Sequence, residues 1–87
     1  MIDAEREELL QRAFAKIGLF EQIIRLLLRE RAAAHNQTPE DILRWAEEQK
    51  LFFEKRLAPG TEMYVTGAID AFFNLLASEV KLDRENQ

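Results

Sequence analysis

The 87-residue chain contains no cysteine, which excludes disulfides and thiolate metal sites outright. A single histidine removes most nucleophile–base pairs and every Cys/His zinc pattern. Three glycines, isolated at 18, 60 and 67, form no phosphate-binding loop, and with only two prolines they leave few turn formers for an all-β chain. No apolar run of about 18 residues occurs, because Glu21, Gln22 and Arg25 interrupt the most apolar stretch, Ile17 to Leu28. No membrane partner is therefore expected. The first residues, Met-Ile-Asp-Ala-Glu-Arg-Glu-Glu, are acidic where a secretory signal is basic and then apolar, and the expected location is cytoplasmic.

What is present is an acidic, globular composition. Apolar residues make up 47% and charged residues 32%, with a net charge of −4, a balance opposite to that of most nucleic-acid binders. Residues 1–34 carry six acids and six bases, whereas residues 59–87 carry five acids against Lys81 and Arg84. No recognition helix is basic, so no nucleic-acid partner is expected.

Two breaks divide the chain, His35-Asn36-Gln37-Thr38-Pro39 and Ala58-Pro59-Gly60-Thr61. Thr38 and Thr61 both stand at N-cap positions, and Pro39, Glu40 and Asp41 suit a first helical turn. The reading is all-α: a three-helix bundle with helices at about 3–34, 39–57 and 62–82 and a frayed tail at 83–87. The chain reads as one domain. Helix 1 is long, with Gly18 marking a candidate bend or close helix crossing.

Apolar spacing distinguishes the helices. On helix 1, Leu10, Ala13, Ile17, Phe20, Ile24 and Leu27 are spaced 3, 4, 3, 4, 3, the pattern of a core or coiled-coil seam. Leu19, Ile23 and Leu26 form a second stripe roughly 120° away. So much apolar surface predicts cover on two sides. Arg25 and Arg29, with Gln22, read as the solvated strip of that helix. Helix 2 shows a core stripe of Ile42, Ala46, Phe53 and Leu57, with Trp45 and Phe52 on its flank. Helix 3 shows Val65, Ile69, Phe72, Leu76 and Val80, edged by the small residues Gly67, Ala71 and Ser78.

No catalytic constellation emerges. His35 falls in the first break as an exposed helix-end residue, and Asp70, Asn74 and Thr66 read as a solvated row on helix 3. The expectation is a non-enzymatic helical interaction module without cofactor or metal, acting as a homodimer. Its expected interface is Leu19, Ile23, Leu26, Trp45 and Phe52, since surplus apolar stripes and tryptophan mark association surfaces. Two other readings stand beside it. One is a small-molecule-binding bundle with a pocket lined by Phe14, Phe20, Phe72, Phe73 and Trp45. The other is a small acidic regulator of phage or mobile-element type, or a chaperone, that binds another protein.

Overall fold

The computed structural model describes residues 2–57 and 59–86 and contains three helices: α1 (Ile2–Ala34), α2 (Pro39–Glu54) and α3 (Glu62–Glu85). α1 is about 50 Å long at 1.5 Å per residue and runs through Gly18 without a break. A Cβ added at Gly18 or at Gly67 would meet nothing within 4 Å. Neither glycine marks a close crossing within this chain, contrary to the expectation for Gly18.

The first turn is built from local chemistry. Asn36 adopts a left-handed backbone (φ 53°), a conformation short polar side chains tolerate. The Gln37 N–H then donates to the Ala32 carbonyl at 2.9 Å and the Asn36 N–H to that of Ala33 at 3.4 Å. These bonds close α1 in a Schellman arrangement. Thr38 starts α2 with a capping box: its hydroxyl accepts from the Asp41 N–H at 3.1 Å, and the Asp41 carboxylate accepts from the Thr38 N–H at 2.8 Å. Thr38→Ala is expected to cost about 1 kcal/mol, checked by urea denaturation of the purified variant; an unchanged midpoint would show that the cap contributes nothing.

Elsewhere the boundaries shift. α2 ends at Glu54, three residues before the expected Leu57, and Arg56 and Leu57 both donate backbone bonds to the Phe53 carbonyl. Gly60 carries the turn that follows, at φ +93°. Thr61 takes helical angles in place of the extended ones of an N-cap, and its side chain makes no capping bond. The tail expected to fray from Asp83 instead continues α3 to Glu85, and Asp83 is held by Arg29 of α1. Gln87 lies outside the described residues.

α3 is the central helix. It packs against both α2 and α1, while α1 and α2 do not pack along their lengths. The pairs Lys50–Asp70 and Trp45–Phe73 set α2 antiparallel to α3. The pairs Arg25–Glu79 and Arg29–Asp83 advance together along both chains, so α1 runs parallel to α3. The buried core is small: Ala32, Ile42, Ala46, Phe73, Leu76, Ala77 and Val80, with Leu28, Trp45, Ile69 and Phe72 packed around it. Phe53, expected in this core, lies outside it and stays 38% exposed. The Cα atoms span 51 × 33 × 15 Å, broader and flatter than a closed bundle of helices roughly 10 Å apart. α1 therefore splays away from the α2–α3 pair, and its only fully buried residue among those described is Ala32.

Candidate interaction surface

α1 is turned the opposite way from its expected orientation. The strip read as solvated, Arg25 with Arg29, faces α3. The Arg25 side chain is only 13% exposed, and its Nε donates to Glu79 Oε1 at 2.6 Å. Arg29 grips Asp83 with a two-pronged contact, Nε to Oδ2 at 2.8 Å and Nη2 to Oδ1 at 2.6 Å, and reaches Glu79 Oε2 at 3.1 Å. A planar guanidinium fits a carboxylate in this way because two parallel N–H bonds match its two oxygens. The spacing allows this contact: two bases four residues apart on α1 meet two acids four residues apart on α3.

The apolar residues of α1 consequently face outward. Leu10 is 51% exposed, Phe14 67%, Phe20 57% and Leu27 59%, and Leu9, Ile17, Leu19, Ile23, Ile24 and Leu26 are exposed as well. The stripe from Leu10 to Leu27, read as a core or coiled-coil seam, is thus not packed within the chain, and neither is the stripe of Leu19, Ile23 and Leu26. Among the described residues of α1, only Leu28 and Ala32, near the C-terminal end, join the core.

The ionic joint carries a pH dependence. Hydrogen bonds from Arg29 hold the Asp83 carboxyl below the usual carboxylate range, and the same bonds raise the Arg29 guanidinium further above neutrality. A carboxyl with a depressed folded pKa stabilises above its unfolded value, near 4, and that contribution is lost as pH falls through the folded value. Asp41 behaves in the same direction, held down by the Thr38 amide and then by its hydroxyl. Acidification below about pH 4 is expected to loosen α1 from α3, read as amide shifts of residues 25–33 that move with the Asp83 carboxyl. Asp83→Asn should reproduce those shifts at neutral pH. A joint indifferent to both changes would show that packing, not charge, holds α1.

The expected interface residues fall into three environments. Leu19, Ile23 and Leu26 share an exposed strip of α1. Trp45 is half-buried, edge-on to Phe73 with ring centroids 5.6 Å apart and with the Arg31 guanidinium 5.5 Å above its ring. Phe52 lies at the far end of α2, 47% exposed, against Phe53 and beneath Arg56. The structure does not bring Trp45 and Phe52 to the α1 strip. Sequence reasoning missed the exposure of the longer stripe, together with exposed Met63 and Tyr64 at the start of α3.

The other readings fare differently. Phe14 and Phe20 lie exposed on α1 while Phe73 is buried in the core, so these rings do not line one pocket. A shallow cleft of about 310 Å³ beside Trp45 is lined instead by Arg31, Gln37, Asp41, Arg44 and Glu48. Asp70, expected on a solvated row, pairs with Lys50 of α2, a contact that raises the lysine pKa. With Glu79 and Asp83 also paired, three of the acids of the C-terminal third are engaged within the chain. His35 is exposed in the turn after α1. Among the described residues no group of three or more His, Asp or Glu could hold a metal, and no helix is long and apolar enough to cross a membrane.

Comparison with protein-family models, with curated proteins and with solved structures found no match to this chain.

Proposed function

We propose that this chain is a non-enzymatic helical interaction module that works as a homodimer through α1. One observation carries the reading: ten large apolar side chains between Leu9 and Leu27 stand exposed on a single helix. Together they present on the order of 1,000 Å² of apolar surface, against about 800 Å² per partner in a standard interface and roughly 300–600 Å² for the largest patch on a typical monomer. The polar joint to α3 strengthens the reading. Charge pairs hold α1 in place on one side and leave its apolar arc free for another chain. A second copy is the occupant that needs no further component, and isologous pairing is the commonest assembly.

Light scattering in line with size exclusion, over a tenfold range of concentration, tests the proposal. The expected mass is twice the 10.2 kDa of the chain. A mass of 10.2 kDa at every concentration would overturn the homodimer.

A further inference from the structure

We infer that the two copies pair antiparallel along the Leu10–Leu27 stripe, with Ile17 of one copy level with Phe20 of the other. The inference rests on the homodimer proposed above and adds its orientation and register.

The stripe is self-complementary when reversed. Its six residues alternate at three and four, the spacing that keeps a seam turned toward a neighbouring helix. Laid head to tail about its midpoint, Leu10 meets Leu27, Ala13 meets Ile24, and Ile17 meets Phe20, each layer occurring twice. Every layer then combines two apolar residues, and the one small side chain always faces a β-branched one. A parallel pair would put Ala13 against Ala13 and Phe20 against Phe20, leaving one layer underfilled and another overfilled, and tightly packed interiors tolerate neither.

Charge and shape favour the same orientation. The next seam positions outward are Asp3, Arg6 and Arg31. Parallel pairing sets each of these against its own copy. Antiparallel pairing removes the Asp3–Asp3 contact and keeps two arginine contacts, Arg6 facing Arg31 at each end, and the helix dipoles then oppose one another favourably. Parallel pairing would gain a flanking Lys16–Glu21 contact, but a solvent-exposed ion pair is worth little. The protomer itself is asymmetric: α3 braces the part of α1 around Arg25, Arg29 and Ala32, whereas residues 3–17 are all exposed. An antiparallel partner lays its unbraced N-terminal half along the braced half of its neighbour. Each copy thus supplies the support the other lacks. Ile23 borders this seam, while Leu19 and Leu26 lie further round the helix.

The absence of cysteine makes disulfide trapping a clean test. Three variants are compared under mild oxidation: Leu10→Cys, Leu27→Cys and the double variant. Antiparallel pairing predicts a covalent dimer from the double variant and from a mixture of the two single ones, with neither single variant cross-linking alone. The like positions would lie roughly 25 Å apart at 1.5 Å per residue, beyond the reach of a disulfide. Cross-linking of each single variant alone would show parallel pairing and overturn the inference while the homodimer stands. A dimeric mass with no cross-link in any variant would also overturn it, by placing the seam elsewhere on α1. A monomeric mass for the unaltered chain would remove the underlying reading instead. As a second measure, Arg6→Glu is expected to tighten the dimer severalfold by facing Arg31 of the partner subunit; no gain would count against the antiparallel register.

Discussion

Replacing Ile17 and Ile24 together by aspartate is expected to turn the dimer into a folded monomer of 10.2 kDa. Both side chains are about half exposed in the protomer, so neither belongs to the small core on which its fold depends. Aspartate costs some helix propensity, a few tenths of a kcal/mol per site, in a helix that is already long. In the antiparallel seam the double substitution removes four buried aliphatic groups per dimer. Association covers only the exposed half of each, so at about half of the 1.5–3 kcal/mol of full burial the loss is about 3–6 kcal/mol, a weakening of about 10²–10⁴-fold. Light scattering reads the mass, and circular dichroism shows that the helices persist. The same exchange on the neighbouring stripe, Leu19→Asp with Ile23→Asp, should weaken association less, since only Ile23 borders the seam. If the second pair acts as strongly as the first, the interface is centred on Leu19, Ile23 and Leu26. If neither pair changes the mass of a dimeric wild type, α1 is not the interface.

The number and order of the helices were legible because the breaks between them, and the start of α2 above all, are written in local chemistry. Thr38, Pro39 and Asp41 specify a start through one hydroxyl, one missing N–H and one carboxylate, whatever the rest of the chain does. The buried face of α3 was legible too: Leu76 and Val80 of the predicted face are buried, and Ile69 and Phe72 pack against the core. At the other end of α3 local reasoning failed. Asp83 stands in a polar run that reads as a fraying tail, and a contact from residue 29 anchors it. Sequence separation of that size leaves no local trace.

The face of α1 was misread for a related reason. Periodicity tells which side of a helix is apolar, but not whether the chain's own core or another molecule will cover it. A polar strip flanked by two apolar stripes was assigned to solvent by default. Arg25 and Arg29, however, recur at the same four-residue step as Glu79 and Asp83, and that match is the one signal in the sequence that could have paired the strips. Trp45 was ambiguous in the same way: its ring lies between Phe73 and Arg31 within the protomer, so the feature that marked it as a hot spot also serves to join α2 to its neighbours.

Leu76→Ala should have the largest effect on the protomer itself. Leu76 is fully buried at the centre of α3, among Ile42, Ala46, Phe73 and Val80, and is one of the two largest side chains with no exposure. Truncating a buried leucine costs about 2–5 kcal/mol, the transfer of its methyl groups plus the cavity left behind. Native domains are stable by only about 5–15 kcal/mol, and a core as small as this one belongs at the low end. The variant is expected to lose most of its helical signal at 37 °C, whereas Leu82→Ala, at a 57% exposed site, should stay within about 0.5 kcal/mol of wild type. Urea denaturation followed through Trp45 fluorescence separates the two kinds of loss. In a dimer the midpoint rises with protein concentration by mass action. Leu76→Ala should lower the midpoint at every concentration, because it weakens the protomer that all assemblies share. The Ile17→Asp/Ile24→Asp variant should instead abolish the concentration dependence and leave a midpoint set by the core of the single protomer. If both variants behaved alike, α1 and the core would be one cooperative unit, and the outward apolar face of α1 would contribute to folding within a single chain.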